Sequence, residues 1–275
     1  MYKRQVVERP SSVVKELVEN AIDAGASAIT VEIKEGGISL IRITDNGCGI
    51  PKEEVPLAFL RHSTSKIRSA EDLMCVHSLG FRGEALSSIA AVSRVEMITK
   101  PADALTGTRY VIEGSKEIAD EEIGAPDGTT FLVRNLFYNT PARRKFLKTA
   151  QTEGTYISDM LEKLALSHPD ISFKYINNNQ TRLHTSGNGK KRDLIYHIYG
   201  REIAAALLEV NYKGEYFSLS GYIGKPVINR GNRNYENYFI NGRYIKSSLL
   251  SRSIEEAYHN FLMQHQYPFL SLIHI

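Results

Sequence analysis

Near the start of the chain, Val13, Val14, Leu17, Val18, Ala21 and Ile22 recur at the spacing of one helical face. The spacing predicts a helix across SSVVKELVENAIDAG, with Ser11 or Ser12 as its N-cap after Pro10 and Gly25 as a left-handed C-terminal residue. The period then changes. Ala28 to Lys34 alternates as a strand, Glu35-Gly36-Gly37 turns, and Ile38 to Thr44 returns as the second arm of a hairpin. Lys52 to Leu60 reads as a short amphipathic helix, and residues 79–91 pass from a glycine-punctuated loop into another. Val92 to Thr99, Gly107 to Ile112 and Gly128 to Val133 read as strands, while Glu117 to Ala125 is acidic and expected at the surface.

Asn139 or Thr140 is expected to cap a helix with Pro141 at its first position, which puts Arg143, Arg144 and Lys145 in the first turn, against the helix dipole. Thr152 to Ser167 predicts a second long amphipathic helix, and Ile171 to Ile176 pairs with Gln180 to His184 around Asn177-Asn178-Asn179. The run Ser186-Gly187-Asn188-Gly189-Lys190-Lys191 is the best linker candidate. Beyond it lie a helix near Asp193 to Tyr199, strands near Leu207 to Tyr212 and Phe217 to Ile223, an Asn241-Gly242 hairpin and a helix from about Ser247 to Leu262.

Composition narrows the class. The chain has 275 residues, 42% hydrophobic and 24% charged, as expected of a globular protein with one large or two ordinary domains. No apolar run is long enough to span a membrane, and no secretory signal opens the chain. Cys48 and Cys75 fit a reducing compartment and no disulfide framework. A formal charge of +3 is too small to establish a nucleic-acid partner, so local clusters carry that argument: Arg143, Arg144 and Lys145, then Arg230, Arg233 and Arg243. Histidine and cysteine show no zinc spacing.

Candidate chemistry gathers on the first helix and in the turn after the hairpin. Glu16 and Asn20 stand four apart, so their side chains are neighbours, with Asp23 roughly in line. A carboxylate can deprotonate a water, and an amide oxygen one turn away can bind Mg²⁺. A solvated helix face is the alternative. Asp45-Asn46-Gly47-Cys48-Gly49-Ile50-Pro51 has two glycines but no third at the dinucleotide spacing, and a hairpin leads into it. It reads either as a plain turn or as a ligand floor, where glycines admit a flat ring and Asp45 accepts a hydrogen bond from an exocyclic amine.

Four stretches in order, Glu16…Asn20, Asp45-Asn-Gly-Cys-Gly, Gly80-Phe-Arg-Gly-Glu-Ala-Leu and Gly128-Thr129, resemble the Bergerat-type ATPases shared by gyrase, heat-shock chaperones and sensor histidine kinases. ERPSSVVKELVENAIDAGA, RHSTSKI, SLGFRGEALSSI and FYNTPARRKFL narrow the resemblance to the N-terminal half of MutL-type DNA mismatch-repair proteins. The resemblance implies an α+β chain: a Bergerat-type α/β sandwich ATPase domain over residues 1–188, then a smaller, truncated ribosomal-protein-S5-like α/β domain over 189–275. It implies ATP and Mg²⁺ as ligands. Glu16 would activate water, Asn20 would hold the metal and Asp45 would read the adenine amine. Gly47 and Gly49 would give the ring access, and Thr129 would bond near it. Thr64, Ser65 and Lys66 of the lid, with Leu79, Gly80, Phe81, Arg82, Gly83 and Glu84, would wrap the triphosphate.

Slow, Mg²⁺-dependent hydrolysis would then drive lid closure, ATP-dependent homodimerisation of the full-length protein and contact with DNA, independent of its sequence. A mismatch-recognition protein and other repair proteins would be partners, in the cytoplasm. The family's arm ahead of VVERP is short here. Its late second-domain lysine and C-terminal dimerisation domain are missing, so a fragment is expected. The alternatives are a nucleotide-dependent clamp with little turnover, or another Bergerat ATPase such as a topoisomerase subunit. FRGEAL and NTPARRKFL do not belong to the last of these.

Overall fold

The structure, a computed structural model, describes residues 7–60, 84–215 and 217–274. It divides into two compact units: residues 1–161 with 171–184, and residues 162–170 with 185–275.

The first unit is built on the hairpin. Strands β1 (Ala28–Lys34) and β2 (Leu40–Asp45) pair antiparallel, with Val31 opposite Ile43. Helix α1 runs from Pro10 to Asp23 and packs on this pair. Its buried face is Val13, Val14, Leu17, Val18 and Ala21, as the spacing predicts, while Ile22 is only half-buried. Gly25 closes it at φ +73°. The expected cap is corrected: Arg9 occupies the N-cap position without a side-chain cap bond, because Pro10 already starts the helix and draws Ser11 and Ser12 inside it.

Around the hairpin the chain adds helices α2 (Val55–Ala58) and α3 (Ala85–Val92) and strands β3 (Arg94–Lys100), β4 (Gly107–Glu113), β5 (Lys116–Ile123) and β6 (Gly128–Arg134). Helices α4 (Pro141–Phe146) and α5 (Ala150–Ser167) lead to β7 (Ser172–Asn177) and β8 (Gln180–His184). The sheet order is β5-β4-β3-β6-β2-β1-β7-β8, antiparallel except between β1 and β7. One face carries the core: Ile29, Val31 and Ile33, then Ile41 and Ile43, Val95 and Met97, Phe131 and Val133, Phe173 and Tyr175. Tyr175 donates its hydroxyl to the Gly154 carbonyl at 3.3 Å, tying β7 to α5. The opposite face is polar, with Arg109 on Glu96 at 2.7 Å and on Glu121 at 2.9 Å.

The acidic stretch expected at the surface is a strand, β5. It lies at the sheet edge with no buried face, so no apolar alternation marks it, and its charges protect the edge. The expected cap of α4 is corrected too. Thr140 makes no cap bond, its Oγ1 is buried without a partner among the described residues, and Asn139 donates to the Ala91 carbonyl at 2.8 Å. In so short a helix Arg143, Arg144 and Lys145 fall in the last turn, where the dipole favours them.

The second unit has helices α6 (Lys191–Tyr199), α7 (Arg201–Ala205) and α8 (Ser248–Tyr258). Its strands are β9 (Leu207–Lys213), β10 (Ser218–Gly224), β11 (Glu236–Ile240), β12 (Arg243–Ile245) and β13 (Leu270–His274), in the order β12-β11-β13-β10-β9. The central strand β13, parallel to β11, has no counterpart among the predicted elements. Leu270 and Tyr238 anchor a cluster with Leu219, Ile223, Ile245 and Ile254 packed around it.

Ser247, unlike Ser11 and Ser12, does cap its helix: its Oγ accepts from the Leu250 N–H at 3.3 Å. Ser247→Ala is therefore expected to lower stability by about 1 kcal/mol. Ser11→Ala and Ser12→Ala should stay within about 0.5 kcal/mol of the unaltered chain. Urea unfolding of the three variants checks this; equal losses at all three sites would contradict the cap assignment.

Candidate functional site

The alternation that fills the core does not stop at apolar residues. Ile41, Ile43 and Asp45 share the inward face of β2, so the last inward position of the strand is a carboxylate. Its register partner on β6 is Thr129, and Thr129 faces Thr99 on β3, which faces Thr108 on β4. Aligned positions on neighbouring strands point to the same side, so Asp45, Thr129, Thr99 and Thr108 form one polar row at the end of the core face, all buried.

Asp45 Oδ1 accepts from the Gly47 N–H at 2.8 Å and the Thr129 N–H at 3.3 Å. Among the described residues no hydrogen bond ends on Oδ2. Burial holds the carboxyl above the ordinary aspartate range, while the Gly47 and Thr129 N–H groups pull the other way. Thr99 Oγ1 accepts from the Ile50 N–H at 2.9 Å, donates to the Gly128 carbonyl at 3.2 Å and lies 3.0 Å from Thr129 Oγ1.

Gly47 and Gly49 are also required by the chain's own packing. A Cβ on Gly47 would stand 2.8 Å from the Ala24 Cβ, and one on Gly49, at φ +70°, would run into the Lys100 carbonyl. The glycines let the turn close against the chain's own backbone. Cys48 N–H donates to the Ala24 carbonyl at 3.0 Å, so the turn is fastened to the end of α1. Asn46 adds a second clip that residue type alone did not single out. Its Oδ1 accepts from the Ser27 and Ala28 N–H groups at 2.9 Å each.

On α1, Glu16, Asn20 and Asp23 are half-buried, and only Lys15 of that face is exposed. That is not the profile of a solvated face. Glu16 makes no hydrogen bond or ion pair among the described residues, whereas Glu19 is buried and paired with Lys15 at 2.9 Å. Asn20 lies one turn before Ala24, whose N–H it receives on its carbonyl at 2.9 Å. The helix is thus anchored beside the Asp45 turn at the end that carries Asn20. Glu84 is half-buried at the N-terminus of α3. Thr64, Ser65, Lys66, Leu79, Gly80, Phe81, Arg82 and Gly83 lie outside the described residues. Among the described residues no group of three or more His, Cys, Asp or Glu side chains is placed to hold a metal.

The basic candidates divide by their engagements. Arg143 donates to the Val7 carbonyl at 3.2 Å and lies 6.0 Å over the Phe137 ring. Arg233 is paired with Glu255, at 2.5 and 2.9 Å, and lies over Tyr267; Arg230 lies over Tyr235. Arg144 and Lys145 are exposed, and so is Arg243 on β12.

Two families match the chain. The family described as histidine kinase-, DNA gyrase B- and HSP90-like ATPase covers residues 5–135. DNA mismatch repair protein, C-terminal domain, covers residues 195–274. The DNA mismatch repair protein MutL of Agathobacter rectalis is 79% identical over 98% of this chain and 41% of its own length. That of Thermoanaerobacter pseudethanolicus is 48% identical over 96% of this chain and 43% of its own. The chain therefore spans about two fifths of the length of these curated relatives. Among solved structures, the N-terminal domain of a DNA repair protein superposes with a TM-score of 0.82 at 27% identity, covering 98% of this chain and 84% of that one. The Aquifex aeolicus MutL ATPase domain complexed with ADP superposes with a TM-score of 0.72 at 26% identity, covering 98% and 92%. Motifs, fold and relatives agree, and the chain belongs to the MutL-type DNA mismatch-repair family, whose N-terminal ATPase half it matches.

Proposed function

We propose that the first unit binds ATP with Mg²⁺ and hydrolyses it slowly, and that this cycle serves DNA mismatch repair in the parent protein. The observation that carries the reading is Asp45: a buried carboxylate, fixed through one oxygen by two backbone N–H groups, with its other oxygen open to a donor. An exocyclic amine is such a donor, and the ADP-bound Aquifex aeolicus relative supports a purine there. Glu16 would act as general base. Its half-buried position without a partner among the described residues suits a group that holds a water. Asn20 offers a neutral amide oxygen, which fits Mg²⁺, an ion that takes few protein ligands and keeps water and substrate phosphates. When bound, the metal neutralises phosphate charge. Residues 1–188 would form the ATPase domain and 189–275 the second domain.

Contacts with DNA belong to the same proposal. The engaged side chains, Arg143 on Val7 and Arg233 on Glu255, are held by the fold, whereas Arg144 and Lys145 stand adjacent and exposed, a pair suited to phosphate. Dimerisation of the full-length protein on ATP, and its meeting with a mismatch-recognition protein, follow the family's pattern.

Three outcomes are expected. First, calorimetry with a non-hydrolysable ATP analogue and Mg²⁺ should give binding that Asp45→Asn weakens by about 1–3 kcal/mol, since one buried polar contact is mispaired. Unchanged affinity in the variant would remove Asp45 as the base reader.

Second, Glu16→Ala should leave binding nearly intact and lower turnover about 10²–10⁴-fold. Asn20→Ala should lose Mg²⁺-dependent affinity as well. If Glu16 were only a helix-face residue, alanine, a good helix former, would change neither.

Third, duplex DNA binding should weaken with salt at a slope of about −0.9 per phosphate contact. The double variant Arg144→Glu, Lys145→Glu should flatten that slope, and an unaltered slope would move the DNA surface elsewhere.

A further inference from the structure

Thr99 is the innermost member of the polar row. It is 1% exposed, whereas Asp45 and Thr129 each keep 7%. Asp45 and Thr129 can therefore touch a ligand and Thr99 cannot. Yet Thr99 has more hydrogen-bond partners than either hydroxyl neighbour, and those partners constrain where the protons lie.

A threonine hydroxyl has one proton to give and two lone pairs to receive. The Ile50 N–H can only donate to Thr99 Oγ1, at 2.9 Å. The Gly128 carbonyl can only accept from it, at 3.2 Å. The Thr99 proton is then spent on Gly128, and one lone pair is spent on Ile50. The third contact, to Thr129 Oγ1 at 3.0 Å, can be satisfied only if Thr129 donates. With its own proton turned inward, Thr129 shows only lone pairs to the space in front of Asp45. Thr129 N–H is likewise committed, to Asp45 Oδ1.

We propose that Thr99 is a positioning residue that fixes the Thr129 hydroxyl as an acceptor, so that Asp45 and Thr129 together form an acceptor-only floor selecting an amino-purine over an oxo-purine. The proposal rests on the nucleotide reading above and deepens it by naming how the base is chosen. An amine meets two acceptors and can donate. An oxo group in its place brings lone pairs against lone pairs and finds no donor, a mismatch that a buried polar site penalises strongly. Thr99 acts only through Thr129, and its loss releases the Thr129 proton to turn outward toward an oxo group.

The test compares Mg²⁺ complexes of non-hydrolysable adenosine and inosine triphosphate analogues by calorimetry, on the unaltered chain and on Thr99→Val and Thr99→Ser. The unaltered chain should bind the adenosine ligand at least tenfold more tightly. Thr99→Val keeps the shape and removes the hydroxyl, and should lower that preference about tenfold, the scale of one hydrogen bond. Thr99→Ser restores the hydroxyl and should keep the preference. Thermal unfolding checks that each variant is folded, and Thr99→Ala carries the same expectation if valine is not tolerated. A purely structural role would weaken both ligands alike and leave the ratio unchanged, which would overturn the proposal alone. Binding of neither ligand by the unaltered chain would sink the nucleotide reading, and the proposal with it.

Discussion

Asp45 accepts two backbone N–H groups on a single oxygen, one from the turn that directly follows β2 and one from the start of β6, 84 residues further along the chain. The Gly47 bond bends the chain sharply after β2. That bend brings Cys48 N–H to the Ala24 carbonyl, so the C-cap of α1 is held by the turn. The Thr129 bond fixes the start of β6, where Gly128 lies so close to the Asp45 backbone that a Cβ would not fit. Removing a buried acceptor of this kind would orphan two N–H groups, each costing about 1–3 kcal/mol. The orientation of α1, and with it the positions of Glu16 and Asn20, depends on a carboxylate that is not on the helix.

The polar row needs no distortion of the sheet. Period-two alternation sends Ile41, Ile43 and Asp45 to one side, and antiparallel register carries that side across to Thr129, Thr99 and Thr108. The core face is apolar along most of its length and polar only at the strand ends, so one periodicity builds both the packing surface and the floor. Threonine suits this place because its β-branched body packs like valine on a pleated surface while its hydroxyl replaces a missing partner. Asn46 serves the same end on the neighbouring loop, where one amide oxygen satisfies two backbone N–H groups at the entry to β1.

Helix α1, the hairpin and the strands around Thr129 were legible because each buries one face, and a buried face writes its period into the chain. Elements without such a face were not. Strand β5 pairs at an exposed edge, so KEIADEEI carries charge instead of alternation. Strand β13 is read poorly for the opposite reason: it lies between β11 and β10, and a short, nearly continuous apolar run does not reveal its period. Asp45 stood out as a candidate because a carboxylate before two glycines is an unusual strand end. Thr99 was not, since a threonine in a strand is ordinary, and its importance comes from register partners that only the sheet brings together. The glycines at 47 and 49 were recognised by type, but their close approach to Ala24 and Lys100 comes from contacts that only the fold brings together.

Burial raises the Asp45 pKa, and the sign of that shift sets how the carboxylate bears on stability. A carboxyl that holds its proton more tightly when folded contributes less to stability as pH rises from its ordinary value through its raised one. At neutral pH the charged form is therefore a cost to the folded chain, and the Gly47 and Thr129 N–H groups offset it only in part. An apolar residue would extend the Ile41 and Ile43 face at no such cost, but it could not hold the turn or accept from an amine. A donor arriving at Oδ2 favours the charged form, so it pulls the pKa back down and recovers part of the desolvation penalty. The same logic covers Thr99, where valine would pack as well but would leave the Ile50 N–H unpaired and the Thr129 proton undirected. Where the polar row replaces apolar packing, stability is exchanged for an acceptor surface whose protons are all assigned before a ligand arrives.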